Sequence, residues 1–498
     1  MNYNSNDKKE DQKDGSTIKK FGIVGVGTFI SLLLGFLATP IITRVVAPEE
    51  YGLYSLFTMY TSIFIMVFSL GMDQALVRFF YIKDTREFRS SLLMECIWLP
   101  IILTITVGII MIVVESFGVN IFGFELEIII LLIINTFIQL VYRFSLLIVR
   151  LQYKVKTFSV LNILQKGLYI VFAVPLLMVS NHGDAIVLCR AITLASVICL
   201  IISVVAAKDV WRIRNVNTIH NFEISYIELF RYSYPFIFSM GITILFQSLD
   251  KIALSYYCTD YEVGIYSSTM TLINVFAVVQ TTFNSLWAPM AVEHYVNAPE
   301  DKEYYAKANH IITVIMFFLG ISLILVKDIF AIILGKSYRE AAYILPFLVF
   351  NPIMYTISET TVCGIMFKQK NKYQVLISII ACLCNLIGNS LLVPALGCKG
   401  AAISTGISYI VFFAMRTIIS NKLYPVDFKL TNMSVITVLT LGYALYNTFY
   451  KFNVVSILLY LVCFFVLFLL YRETVINIIV QGIYYIKKFL PLHKKNKK

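Results

Sequence analysis

Residues 92–114, LLMECIWLPIILTITVGIIMIVV, place a single charged residue, Glu95, in 23 positions. At about 1.5 Å of helix rise per residue, such a run covers the roughly 30 Å of a bilayer's hydrocarbon core. Lys83, Arg86 and Arg89 precede it. The connection that follows, Glu115 to Glu127, has acidic residues and no Lys or Arg. One basic flank and one acidic flank are the mark of a transmembrane helix with a defined direction.

The same reading extends along the whole chain. Apolar segments of spanning length cover residues 21–46, 52–80, 92–114, 128–149, 158–179, 185–206 and 232–257. They continue at 265–290, 308–326, 342–367, 373–394, 401–419, 430–449 and 454–471. Composition agrees: 59% of residues are hydrophobic and 14% charged, against roughly 45–50% apolar usage in soluble domains. Of the 41 Lys and Arg, seven fall within spans, 29 in the termini and one set of alternate loops, and five in the other set. The positive-inside rule then puts both termini in the cytoplasm of a multi-pass membrane protein. The net charge of +12 is explained by this topology and by attraction to anionic lipid. It calls for no nucleic-acid partner.

The chain repeats. Glu50-Tyr51-Gly52-Leu53-Tyr54-Ser55 after the first span matches Glu262-Val263-Gly264-Ile265-Tyr266-Ser267 after the seventh. Tyr153-Lys154-Val155-Lys156 matches Phe367-Lys368-Gln369-Lys370, and Gly183-Asp184-Ala185-Ile186 matches Gly400-Ala401-Ala402-Ile403. A period of six spans is even, so the halves share one orientation and form a parallel repeat. The expected organisation is a polar N-terminus at 1–20, an N-lobe at 21–206, a cytoplasmic linker at 207–231 and a C-lobe at 232–419. Two appended spans at 420–471 and an amphipathic basic tail at 472–498 complete it. In the tail, Val475, Ile479, Ile483, Ile486 and Leu490 share a helical face, as expected of a surface-lying anchor.

Ionisable side chains within spans are costly and by default face a cavity or a partner. The first half holds Arg44, Asp73, Arg78, Arg143, Lys166 and Arg190; the second holds Asp250, Lys251, Glu359 and Arg416. Arg143 has Gln139 one turn earlier and Lys166 has Asn162 one turn earlier, which gives each a polar helix face. Arg143, Lys166, Arg78, Arg416, Arg44 and Gln139 are therefore candidates for a cationic, diphosphate-binding cavity. Arg78 and Arg416 also lie near enough to span ends to snorkel. Glu359, Asp250 and Asp73 are candidates for ion coupling, with pairing to a cation as the other reading of Glu359 and Asp73. Proline at 40, 175, 235, 289, 346 and 352 offers bending points. No His or Cys spacing fits a metal site, and no phosphate-cradling glycine loop is present. The expectation is a protein that is not an enzyme and has no cofactor, with a proton or sodium gradient as its energy source.

Phe21-Gly22, Ile41-Ile42-Thr43-Arg44, Pro48-Glu49-Glu50-Tyr51-Gly52-Leu53-Tyr54, Gly71-Met72-Asp73-Gln74-Ala75 and Arg78-Phe79-Phe80 resemble the opening of bacterial Wzx-type polysaccharide flippases. Leu229-Phe230-Arg231-Tyr232-Ser233-Tyr234-Pro235, with Asp250 and Val263-Gly264-Ile265-Tyr266, is similar to the start of their second half. The family belongs to the multidrug/oligosaccharidyl-lipid/polysaccharide exporter superfamily. The resemblance implies an all-α fold of two six-helix lobes, MATE-like, plus a variable final pair. It also implies a bacterial plasma-membrane protein moving oligosaccharides on undecaprenyl diphosphate to the outer leaflet, with a polysaccharide polymerase or chain-length machinery as partner. Related members flip the peptidoglycan precursor lipid or expel drugs, so an ion-coupled antiporter stays an alternative. A membrane glycan polymerase fits less well, because no outer loop exceeds about twenty residues.

Overall fold

Residues 25–119, 122–180, 184–212 and 224–489 are described by a computed structural model of the chain. The expected N-terminal segment 1–20, the middle of the linker, Gly183, His182, His220, His493 and the tail from 490 onward lie outside the described residues.

Helices begin where the sequence supplies caps. Thr85 Oγ1 accepts the Phe88 N–H at 3.4 Å and Asn453 Oδ1 accepts the Ser456 N–H at 3.0 Å. Each satisfies a donor that a helix start leaves open. The chain packs as two compact units, the first running to Val278 and including Leu334–Tyr338, the second holding Val279–Ile333 and Arg339 onward. Packing thus divides the chain within the eighth expected span, well past the 207–231 linker.

The first unit contains α1 (Gly25–Thr43), α2 (Pro48–Ser69), α3 (Met72–Phe79), α4 (Arg86–Ser116) and α5 (Leu126–Leu151). It continues with α6 (Val155–Ser180), α7 (Ala185–Ala206), α8 (Lys208–Trp211), α9 (Tyr226–Tyr257) and α10 (Asp260–Ile273). A core of Met72, Leu76, Phe80, Leu92, Leu93, Leu140, Phe144 and Leu229 ties α3, α4, α5 and α9 together. Between α2 and α3 the backbone turns at Leu70 and Gly71, with φ of 48° and 69°. A β-carbon on Gly71 would lie 2.5 Å from the Ser233 carbonyl oxygen, so position 71 requires glycine twice over.

α11 (Phe276–Asn297) leads into the second unit, which holds α12 (Lys302–Leu325), α13 (Lys327–Leu334), α14 (Ala341–Leu348), α15 (Phe350–Thr361) and α16 (Cys363–Phe367). Next come α17 (Lys372–Leu396), α18 (Cys398–Leu423), α19 (Leu430–Phe449), α20 (Val454–Leu470) and α21 (Arg472–Phe489). Leu334, the last residue of α13, packs with the first unit.

Among the described residues each of the fourteen expected spans is mostly helical, the second and tenth being divided between successive helices. Eleven helices among the described residues are long and apolar enough to cross a bilayer, and the pair α20–α21 makes a twelfth if counted as one span bent by 89°. The eighth expected span is broken at Asn274–Val275 between α10 and α11.

The repeat is visible in the packing order. In the first unit α4 packs on α5, α5 on α7 and α6 on α7; in the second, α12 packs on α15, α15 on α18 and α17 on α18. It is visible in the turns as well. Tyr153 and Gln369 both take left-handed backbone, φ 55° and 52°, and the following N–H, of Lys154 or Lys370, reaches back five residues to a carbonyl at 3.1 and 3.0 Å. Both are the same helix-terminating turn. The equivalence is Tyr153 with Gln369, two residues away from the sequence match of Tyr153 with Phe367. The matching Lys-x-Lys patterns permit either register; hydrogen bonding fixes it.

The two Gly-Tyr-Ser motifs also pack directly on each other, α2 against α10. A β-carbon on Gly52 would lie 2.0 Å from the Asp260 carbonyl oxygen, and one on Gly264 1.9 Å from that of Pro48. Each carbonyl sits four residues before the opposing glycine. One turn further on, Ser55 Oγ donates to Ser267 Oγ at 2.7 Å. Small residues let the two backbones touch, the usual means of close helix packing in lipid.

Candidate functional site

A cavity of about 330 Å³ opens within the first unit. α2 contributes most of its wall. Tyr51, Tyr54, Ser55, Thr58, Thr61 and Ser62 fall at the spacing of one helical face. α1 adds Gly35, Ala38, Thr39 and Ile42; α6 adds Gln165, Lys166 and Tyr169; α10 adds Ser267 and Thr271. Gln139, Ile192 and Lys251 complete it from α5, α7 and α9. Ten of these 18 residues carry hydroxyls, two are amides and two are lysines; none is Asp or Glu.

The lining is held by hydrogen bonds reaching into the protein. Gln139 Nε2 donates to Asn135 Oδ1 at 3.3 Å and Asn135 Nδ2 to Thr61 Oγ1 at 3.2 Å. Asn135 is fully buried. Tyr54 and Tyr169 stack at 5.6 Å with planes 5° apart. Tyr51 is covered by Tyr338, edge-on at 6.2 Å, whose hydroxyl donates to the Val46 carbonyl at 3.0 Å. Lys251 Nζ donates to Ser55 Oγ at 2.8 Å. Lys166 makes no hydrogen bond or ion pair among the described residues. An ammonium without a counter-charge in a wall of hydroxyls favours an anionic, polyhydroxylated guest.

Of the residues singled out in the sequence, Lys166 and Gln139 line this cavity. Arg143, one turn from Gln139, is engaged elsewhere: its Nη2 and Nε donate to Asp73 Oδ2 at 2.6 and 3.2 Å. Asp73 is 2% exposed, and its Oδ1 has no hydrogen-bond partner. Asp73 therefore pairs with Arg143, while Arg78 and Arg44 lie exposed outside the cavity wall. Asp250 accepts from the Tyr266 hydroxyl at 2.6 Å. In the second unit Arg416, 5% exposed, donates to Glu359 Oε1 and Ser358 Oγ, both at 2.7 Å, with Tyr355 and Phe412 rings beside it. Glu359, a candidate for ion coupling or for pairing to a cation, is ion-paired, and Arg416 is buried in place of snorkelling. Of the five cations expected to share one cavity, Lys166 alone lines it, and two, Arg143 and Arg416, are neutralised by carboxylates.

Sequence reasoning followed charge and missed the hydroxyl face of α2; it named Lys251 among the ionisable residues within spans but not among the cavity candidates. The signal was present as the 51, 54, 55, 58, 61, 62 periodicity.

A second cleft, about 630 Å³, lies between Tyr81, Arg86, Arg89, Tyr153 and Lys154. Two of its cations are occupied: Arg89 pairs with Asp84 at 2.5 Å and Lys154 donates to the Ala206 carbonyl at 2.6 Å. Burial, reinforced by the Tyr153 hydroxyl, pushes the Tyr81 phenol up to about 12. Among the described residues no cluster of His, Cys, Asp or Glu could hold a metal ion.

The family model described as "Polysaccharide biosynthesis protein" matches residues 17–295. The capsular polysaccharide biosynthesis protein CapF of Staphylococcus aureus is 24% identical over 408 residues, 79% of this chain and 96% of that protein. Among solved structures, the chain is similar to the lipid II flippase MurJ in an inward closed conformation, with TM-score 0.65 at 16% identity, covering 91% of this chain and 99% of that one. It is also similar to an inward-facing multidrug resistance MATE family transporter of the MOP superfamily, TM-score 0.51 at 15% identity, covering 80% and 94%. At these identities the two structures establish the fold: MATE-like, all-helical and membrane-embedded.

Proposed function

Because this chain belongs to the polysaccharide biosynthesis protein family, we propose that it is a flippase. It carries oligosaccharide units linked to a polyprenyl diphosphate from the cytoplasmic to the outer leaflet of a bacterial plasma membrane. The observation that carries this reading is Lys166, an unpaired ammonium in a cavity whose other polar groups are almost all hydroxyls and amides. With both termini in the cytoplasm, Lys166 lies about 16 Å from the inner end of α6. There it draws the diphosphate inward, while the hydroxyl face of α2 replaces the water around the sugars and the polyprenyl tail stays in lipid. In this reading the repeat units 21–206 and 232–419 are the two lobes that alternate, and 420–471 is an appended pair. Coupling to a proton or sodium gradient acts through Asp73 or Glu359, the carboxylates now held by Arg143 and Arg416.

The MATE likeness raises drug antiport as the second reading. A cationic drug needs a carboxylate in its site, and the cavity wall has two ammoniums and none. The same chemistry accommodates other polyprenyl-diphosphate lipids, such as the peptidoglycan precursor. A strain lacking the protein tests the reading. Lipid-linked repeat units accumulate inside and surface polysaccharide disappears while drug tolerance holds; normal surface polysaccharide in that strain refutes it.

A further inference from the structure

We propose that the outer end of the cavity selects for an acidic sugar, with Lys251 binding the carboxylate of a uronic-acid residue in the oligosaccharide. The proposal rests on the flippase reading above and deepens it to a substrate class. The Gly52–Gly264 and Ser55–Ser267 contacts fix the repeat offset at this level, and the same offset pairs Lys251 on α9 with Thr39 on α1. Both line the cavity. One half of the repeat therefore fills this position with a small hydroxyl, so the fold does not require an ammonium there.

Lys251 makes one hydrogen bond, to Ser55 Oγ at 2.8 Å, and Ser55 gives its own proton to Ser267; the Asp250 carboxylate next along the helix attracts Lys251 electrostatically without a hydrogen bond to it. An ammonium has three donors, so two are left for a guest. The adjacent carboxylate, Asp250, accepts from Tyr266 and is absent from the cavity wall. Depth separates this cation from Lys166. Lys251 lies six residues from the Tyr257 end of α9, about 9 Å along the axis; Lys166 is nearer the opposite face. A diphosphate joined to a tail in the inner leaflet meets Lys166 first, and a negative group that reaches Lys251 must be carried by the glycan. Buried charge-assisted hydrogen bonds of this sort are worth a factor of about ten or more.

The test uses the full chain in phospholipid vesicles with two probes on the same polyprenyl diphosphate. One is a disaccharide containing glucuronic acid; the other is that disaccharide with its carboxyl reduced to an alcohol. Translocation is read by accessibility to an added glycosidase. The expected result is an acid-to-neutral rate ratio of about ten or more, collapsing toward one in Lys251→Met and restored in Lys251→Arg. Equal rates for the two lipids, or a ratio unmoved in Lys251→Met, overturn the proposal and leave the flippase reading standing. Movement of neither lipid overturns both. Should Lys251→Met not fold, calorimetric titration of the wild-type chain with the two free disaccharides decides: tighter binding of the acidic one supports the proposal, equal binding refutes it.

Discussion

The crossing of α2 and α10 makes a sharp physical prediction. Adding one methyl at Gly264 places a β-carbon 1.9 Å from the Pro48 carbonyl oxygen and 2.7 Å from its carbon. β-carbons in proteins essentially never come within 3.0 Å of another atom, so the helices must separate by at least about 1.1 Å. The obstacle is backbone on a rigid helix and cannot rotate away. The shift also lengthens the 2.7 Å Ser55–Ser267 hydrogen bond beyond bonding range. Overpacking costs typically 1–3 kcal/mol and occasionally more, and the lost buried hydrogen bond adds about 1 kcal/mol. Gly52→Ala meets the mirror-image obstacle at 2.0 Å and should cost a similar amount. The double variant should cost less than the sum, because one separation relieves both clashes. Gly442→Ala is the control: nothing lies within 4 Å of its β-carbon, and alanine is favoured over glycine in a helix by about 0.5–1 kcal/mol. Apparent melting temperatures of purified protein in detergent should fall for Gly52→Ala and Gly264→Ala and hold or rise for Gly442→Ala. Melting of all three at the wild-type temperature would refute the contact and the repeat pairing built on it.

The ion pairs give three further predictions. Arg416→Met strands Glu359, whose side chain is 17% exposed, and should destabilise by about 3–5 kcal/mol; an unchanged melting temperature would count against the buried pair. Arg143→Met should be more damaging than Asp73→Asn, since the first leaves a 2% exposed carboxylate unpaired while Arg143, with 36% of its side chain exposed, can turn to solvent. Equal melting temperatures would argue against it. At the α12 N-terminus, the His294 hydrogen bond holds the Asp301 carboxyl below its usual range. Its contribution to stability is complete above the unfolded-state pKa of about 3.9 and is lost as pH falls through the lower folded value. Wild-type and Asp301→Asn should therefore converge in melting temperature on acidification, and a constant gap would contradict the linkage.

The fold was legible because its signals are additive. Twenty apolar residues and a basic flank identify a span whatever surrounds it, and fourteen such spans with six-span periodicity leave few architectures. The site was less legible because depth along a helix says nothing of which neighbour its faces meet. Arg143 and Asp73 are 70 residues apart in the chain, and their pairing depends on the turn at Leu70–Gly71 that redirects α3. Hydroxyls posed the opposite difficulty. Thr39, Thr58, Thr61 and Ser62 each also bond a carbonyl of their own helix, so a serine or threonine in an apolar span is satisfied with or without a cavity. Only their shared face, seen beside Lys166 and Lys251, distinguishes a lining from a scatter.

Translocation by purified protein in vesicles addresses the central claim most directly. Wild-type chain should expose a polyprenyl-diphosphate-linked oligosaccharide on the opposite leaflet, and Lys166→Met should do so slower by about tenfold or more while melting at the wild-type temperature. Equal rates for the two proteins would contradict the account.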